Sequence, residues 1–178
     1  MNTLLRFRSA YGRLLTLCGV IAGVITFAMM ALVTVNVVSR YAFNRPIAGA
    51  FELTEGALPI IIFLSLALTQ YHGGHIRVTL LTDRLGPAIG RAAMVIAMLA
   101  GAVLFAWAAW AGWLAAAKSL TIGEIERGSI RYPIWPIKYA VCFGMFLLSL
   151  QYLIDAACAA MGIDTHQNAH DPEMEVLE

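Results

Sequence analysis

The sequence contains few charged residues. Only 13% of its 178 residues are Asp, Glu, Lys or Arg, whereas 60% are hydrophobic and the mean hydropathy is +0.75. Soluble domains hold about 25% charged and roughly 45–50% apolar residues, so this composition is typical of an integral membrane protein. The twelve Lys and Arg are spread along the chain and the formal net charge is +1. This distribution excludes the basic face that nucleic-acid binding requires.

Cysteine is scarce, and the sequence shows no disulfide framework. Cys18, Cys142 and Cys158 each lie singly inside an apolar run, with no Cys-x-x-Cys pair. This placement predicts small buried hydrophobic residues rather than disulfide partners or metal ligands.

Histidine is absent from the apolar runs, which excludes axial haem ligands within a membrane span. His166 and His170 are four residues apart and could share a metal if the tail were helical, but Gly162 and Pro172 favour a solvated tail. The sequence shows no nucleophile–base pair, phosphate-binding loop or metal signature. We therefore expect neither an enzyme nor a bound cofactor.

Long apolar runs are what the sequence does have. A membrane span needs about 20 mainly apolar residues, and four segments qualify: about residues 14–38, 51–71, 92–117 and 134–161. They predict an all-α membrane domain over residues 1–163, followed by a short polar acidic tail over residues 164–178. The first run, at about 25 residues, exceeds the roughly 7–15 of a signal-peptide core, so we expect a retained helix.

Two segments beside these runs are amphipathic. Residues 1–13 and 75–85 place apolar side chains at helical spacing with arginines on another side, which predicts short interfacial helices. The positive-inside rule does not choose an orientation, since six Lys or Arg flank each side of the membrane. The first span alone weakly favours a cytoplasmic N-terminus, with three arginines before it and two after it.

The predicted spans have few polar groups near their centres, where a coupled carrier holds its ionisable residues. They do have small residues four apart, such as Gly19 and Gly23 in the first span and Ala97 and Gly101 in the third. Such rows let helices approach closely. A subunit that supports a partner is therefore favoured, and two alternatives stay open. These are a membrane anchor or assembly subunit of a respiratory or other enzyme complex, and an autonomous four-helix transporter.

The segment SRYAFNRPIAGAFELTEG, residues 39–56, concentrates ionisable groups between two spans. Glu52 and Glu55 are three apart and so share one side of a helix start, which favours carboxylates. Arg40 and Arg45 precede them. A charge at membrane depth costs on the order of 2.5–3.5 kcal/mol, and mutual pairing would offset this cost. We predict at least one ion pair among the four side chains; the alternative is that each extends separately into the headgroups.

The chain resembles a known family over this segment and a second one. NVVSRYAFNRPIAGAFELTEG, with GGHIRVTLLTDRLG after the second span, is similar to the small membrane subunit of tripartite ATP-independent periplasmic (TRAP) transporters, the DctQ type. The matching positions are Arg40, Tyr41, Phe43, Asn44, Arg45, Pro46, Glu52, Leu53, Glu55, Gly74, His75, Ile76 and Val78. Two positions depart from the pattern. Ala48-Gly49-Ala50 stands where many members have Trp, and Thr79 stands where an acid is usual, with Asp83 one turn later.

The resemblance implies a non-catalytic scaffold in the bacterial inner membrane, with both termini cytoplasmic. It implies two partners besides the lipid bilayer. One is a large polytopic permease that carries the substrate and sodium sites. The other is a periplasmic binding protein that delivers the solute, commonly a carboxylate.

The same resemblance places residues 118–133, KSLTIGEIERGSIRYP, in the periplasm. Charges of both signs occur there, at Glu124, Glu126, Arg127 and Arg131. Mixed rim charges suit a partner that must bind and leave. We hypothesise that this loop, with residues 40–50, docks the binding protein; the alternative is a solvated hairpin.

Overall fold

Four long helices make up the chain in the computed structural model, which describes residues 2–73 and 87–161. They are α1 (Asn2–Phe43), α2 (Ala50–Tyr71), α3 (Pro87–Ile122) and α4 (Trp135–Ala160). Each is long and apolar enough to cross a membrane. The predicted all-helical, four-span architecture is therefore confirmed. The predicted interfacial helix over residues 75–85, His75 and the tail 164–178 lie outside the described residues.

Helix α1 is continuous from its first turn, so the amphipathic segment predicted over residues 1–13 is helical and leads into the first span without a break. Between Asn2 and Leu14 the chain holds no proline, and a single Gly12 costs a helix only about 1 kcal/mol. Tyr11 is buried, and its hydroxyl donates a hydrogen bond of 2.5 Å to the carbonyl of Leu147 in α4. The beginning of α1 is therefore part of the bundle.

Helix α3 is longer at both ends than its apolar run. Pro87 occupies the first helical position, where its missing N–H is not needed. The helix continues through Lys118 to Ile122 and ends at Gly123, whose φ is 63°. The first five residues of the predicted 118–133 loop are consequently helical.

The helices pack in the order α1, α2, α4, α3, so α4 lies inside the row although it comes last in sequence. In its most apolar stretch, 56% of α4 is buried within the protein, against 11–17% for the other three helices. The exposed apolar faces of the outer helices are suited to lipid or to another membrane protein.

Small residues mark the places where the helices approach most closely. A Cβ added at Gly144 of α4 would overlap the backbone carbonyl of Phe63 in α2. A Cβ at Gly112 of α3 would lie 2.9 Å from the sulfur of Cys142. Gly19 of α1 faces Leu68 in the same manner, whereas Gly23 has nothing within 4 Å. Of the predicted pair in the first span, only Gly19 is a packing position.

The three cysteines are buried and free. Cys18 and Cys158 belong to one apolar core with Leu15, Leu64 and Leu148. Their predicted role as small hydrophobic residues is confirmed.

Candidate functional site at the bend and the hairpin

The connection from α1 to α2, residues 44–49, is called the bend, and α1 side chains hold it. The side-chain oxygen of Asn36 accepts a hydrogen bond of 2.8 Å from the N–H of Ile47. The Ser39 hydroxyl donates to the carbonyl of Arg45, whose own N–H donates to the Ser39 carbonyl over 3.3 Å. The last turns of α1 thus satisfy the backbone groups that a turn at membrane depth would otherwise leave unpaired.

Two residues of the bend have left-handed backbone conformations. Asn44 has φ of 52°, and Asn tolerates this region better than most residues. Gly49 has φ of 81° and precedes α2, where its carbonyl accepts the N–H of Leu53 at 2.9 Å. A Cβ at Gly49 would overlap the side chain of Ile130. Glycine is needed there both for its conformation and for contact with the second connection.

That second connection, residues 123–134 between α3 and α4, is called the hairpin. Ile125 and Pro133 form an antiparallel bridge. The N–H of Glu126 donates to the carbonyl of Tyr132 over 2.9 Å, and the N–H of Ile134 donates to that of Glu124 over 3.1 Å. The charged loop predicted from sequence is therefore a compact, internally hydrogen-bonded turn.

Glu52 in the first turn of α2 attaches the hairpin to the bend. Its carboxylate accepts a hydrogen bond of 2.5 Å from the N–H of Ser129. Its backbone carbonyl accepts one of 3.0 Å from the hydroxyl of Tyr132. Gly128 packs so closely on the Glu52 side chain that a Cβ would overlap it. Glu52 thereby contacts three residues of the hairpin, which are Gly128, Ser129 and Tyr132.

The predicted ion pair across the bend does not form. Within the described part of the chain, Arg40, Arg45, Glu52 and Glu55 make no guanidinium–carboxylate contact. Glu52 faces the hairpin instead, and the Arg40 guanidinium lies 5.2 Å from the centre of the Tyr41 ring. The bend is therefore held by hydrogen bonds with Asn36 and Ser39 rather than by charge pairing.

The ion pair that the structure does show joins the base of the hairpin to α4. The Lys138 ammonium lies 2.5 Å from the Glu124 carboxylate, and both side chains are partly exposed. The hydrogen bond from Lys138 holds the pKa of Glu124 below its usual value. Burial, followed by the charge of Glu126, raises the pKa of Tyr132. Of the two acids of the predicted docking loop, Glu124 is thus paired with Lys138, and Glu126 acts on Tyr132 through its charge.

The basic residues of the hairpin have a different environment. Arg127 and Arg131 are exposed, whereas Glu124 and Glu126 are half-buried. The Glu126 carboxylate accepts the N–H of Arg127 over 3.0 Å. The solvent-facing charge of this surface is therefore mainly positive. Asn44, Arg45 and Pro46 of the bend are exposed on the same end of the molecule.

A buried polar cluster at the other end was not predicted. Asp155 of α4 is 1% exposed, and its two carboxylate oxygens accept hydrogen bonds of 2.9 Å from the amides of Gln70 in α2 and Gln151 in α4. Gln151 and Asp155 are four residues apart, which places them on one helix face. That spacing was the available signal, and Asp155 lies within a few turns of the end of its apolar run.

The arrangement offers an exposed polar surface that is supported by hydrogen bonds and an ion pair. Among the described residues no group of three or more His, Cys, Asp or Glu side chains could hold a metal ion. Of the motif residues that are described, Arg45 bonds to α1 and Glu52 connects α2 to the hairpin at one end of the molecule.

One comparison with known proteins finds a family whose model matches this chain. The family model for the DctQ component of tripartite ATP-independent periplasmic transporters matches residues 29–161. The match begins in the second half of α1 and includes the bend, α2, α3, the hairpin and α4. No curated protein matches the chain.

Proposed function

Because the chain belongs to the DctQ family, the small permease component of TRAP transporters, we propose that it is the non-catalytic scaffold of such a transporter. The family and four candidate spans among the described residues support a multi-pass membrane protein, and we propose that both of its termini lie on one side of the membrane. In our proposal that side is the cytoplasm of a bacterial inner membrane, and the bend and the hairpin face the periplasm. A large permease subunit holds the substrate and sodium sites and packs on the exposed helices.

The observation that carries the proposal is the attachment of the hairpin at two points. Glu52 holds its tip to α2, and the Glu124–Lys138 pair holds its base to α4. A surface fixed in this way loses little conformational freedom when a partner binds. It presents Arg127 and Arg131 to solvent, and we propose that these arginines help dock the periplasmic binding protein that delivers a solute, expected to be a carboxylate, for sodium-coupled uptake.

Charge reversal of Arg127 tests docking in the transporter reconstituted with its large subunit and binding protein. Arg127→Glu is expected to slow uptake when the binding protein is limiting and salt is low, because rim charges act mainly on encounter rates. Additional binding protein should restore uptake. Lys118→Glu is the matched control, since Lys118 is also exposed but lies on α3 before the hairpin.

Subunit yield is measured alongside, so that failed assembly is distinguished from failed docking. Uptake by Arg127→Glu equal to that of the unmodified transporter, at limiting binding protein and low salt, would refute docking by this surface.

A further inference from the structure

An apolar groove separates α1 from α2 on the side of the bend. Near the N-terminus the two helices are in close contact, because Gly12 faces Tyr71 and Gly19 faces Leu68. At Gly23, in contrast, an added Cβ would meet nothing within 4 Å. The space between them has a volume of about 390 Å³ and is lined by Met29, Val33, Thr34, Thr54, Leu58 and Ile61, among others. The bend lies beyond one end of this space, where the N–H of Ile47 donates to Asn36, two residues after Thr34.

The groove presents hydrocarbon to whatever fills it, although three threonines line it. The hydroxyls of Thr26, Thr34 and Thr54 each donate to the backbone carbonyl four residues earlier, over 2.7–2.8 Å. Their methyl groups are therefore the part available to a ligand. Because these hydroxyls already have hydrogen-bond partners, the groove offers a water molecule no unpaired polar group. An apolar occupant is therefore favoured.

The position of the groove matches one leaflet of a bilayer. At 1.5 Å per residue, Thr54 and Ile61 lie about 6 Å and about 17 Å below the first residue of α2. The α1 side, from Thr26 to Thr34, is about 12 Å long. Half of a hydrocarbon core of roughly 30 Å is about 15 Å. The groove thus has the length of an acyl chain segment and is too short to accommodate a whole crossing helix.

Basic side chains lie beyond the end of the groove that is nearer the bend. Arg40 follows Val33 by seven residues and so lies on the same side of α1, about 10 Å higher. Arg45 is exposed in the bend itself. The neighbouring Tyr41 is 80% exposed, as expected of an aromatic residue at a membrane interface. Of the nearby acids, Glu52 is bonded to Ser129, and Glu55 lies about 100° around α2 from Thr54.

We propose that this groove is a binding site for an anionic phospholipid. One acyl chain lies between α1 and α2, and the phosphate contacts the guanidinium groups of Arg40 and Arg45. This inference goes beyond the proposed function, since it concerns a lipid ligand of the small subunit itself. It also gives the two arginines a role in place of the ion pair that they do not form.

Native mass spectrometry of the purified full chain, titrated with phosphatidylglycerol or phosphatidylcholine, tests the site. Phosphatidylglycerol is expected to bind more tightly. Arg40→Gln and Arg45→Gln should each weaken its binding about fivefold, the value of one basic side chain at an anionic surface. Arg127→Gln removes the same charge from the same end of the molecule, away from the groove, and should leave binding unchanged.

Filling the groove tests the acyl-chain half of the proposal. Thr34→Leu with Thr54→Leu should lower binding of both lipids without changing charge, whereas Ala100→Leu on the open face of α3 should not. Equal binding of the two lipids, or equal losses in Arg127→Gln and Arg40→Gln, would overturn the proposal.

A photo-crosslinking residue at Val33 in intact membranes provides a measurement that leaves the arginines in place. A phospholipid adduct is expected; an adduct with another protein alone would show that a partner subunit occupies the groove.

Discussion

Glu52 and Arg40 belong to the same charged segment, yet they have different environments in the folded chain. The carboxylate of Glu52 accepts a backbone N–H from a residue 77 positions away, whereas Arg40 lies over an exposed tyrosine ring. Opposite charges close in sequence predicted a pair, but a backbone donor in the hairpin is the better-placed partner. The charge content of the segment was evident from sequence, but its partners depend on packing between distant parts of the chain.

Removing the Glu52 carboxylate should release the tip of the hairpin. We expect amide hydrogen exchange in residues 123–134 of Glu52→Ala to be between about twofold and tenfold faster, the net effect of losing one hydrogen bond. Glu55→Ala is the control, because Glu55 is exposed one turn away on the same helix. Equal exchange in the two variants, measured by mass spectrometry, would show that Glu52 does not hold the hairpin.

The Glu124–Lys138 pair should make the base of the hairpin sensitive to acid. Its hydrogen bond lowers the pKa of Glu124 from the ordinary 4.5, so its stabilising contribution is complete above pH 4.5 and is lost as pH falls through the lower folded value. Protection factors of the hairpin amides, corrected for intrinsic exchange, should therefore decrease in that acidic range. Lys138→Gln should lower protection at neutral pH and diminish the acid-dependent step, to which the hydrogen bond of Glu52 with Ser129 also contributes; an undiminished step would contradict this assignment.

At the scale of elements, hydropathy predicted the four helices because about 20 apolar residues must be buried in lipid together. It did not predict their ends. Polar residues such as Lys118 continue a helix without interruption, and Gly123 then ends it by its left-handed conformation. The attachment of the hairpin to Glu52 and the Asp155 cluster were missed for a common reason. Both depend on which helices are neighbours in the folded chain. A single apolar run of the sequence does not contain this information.

The link between Gln70 and Asp155 should couple α2 to α4 energetically. A double-mutant cycle with Gln70→Ala and Asp155→Ala, followed by unfolding in detergent, is expected to give a coupling of about 0.6–1.7 kcal/mol, the range found for hydrogen bonds between membrane helices. A matched cycle between Gln70 and the more distant Ser149 should be additive. Additivity of both cycles would show that the buried contact contributes nothing specific.

At the scale of the whole molecule, the structure is a single row of helices with broad apolar exposure on its outer members. Its buried acid accepts hydrogen bonds from two amides within the helix packing. This shape suits a supporting subunit. The alternatives of an enzyme anchor and an autonomous carrier are distinguished by the proteins that co-purify with the chain and by solute uptake of the chain alone.

Proteoliposomes holding only this chain should show no solute uptake, with or without a sodium gradient. Purification from native membranes should recover a large polytopic membrane protein with it. Sodium-dependent uptake by the chain alone would contradict the scaffold role, and recovery of a soluble enzyme instead would favour the anchor. The same liposomes holding the chain and the large subunit provide the positive control.

The position of α4 inside the row has a consequence for biosynthesis. α3 packs chiefly against α4, yet it is made first, and Ala160 follows Ile122 by 38 residues. At about 5–20 residues per second, α3 waits about 2–8 s for its partner. During that interval the amide of Gln70 also has no Asp155 to bind. The nascent chain therefore exists for seconds as a helix pair and a separate third helix, an intermediate exposed to the insertion machinery and to membrane proteases until its last span arrives.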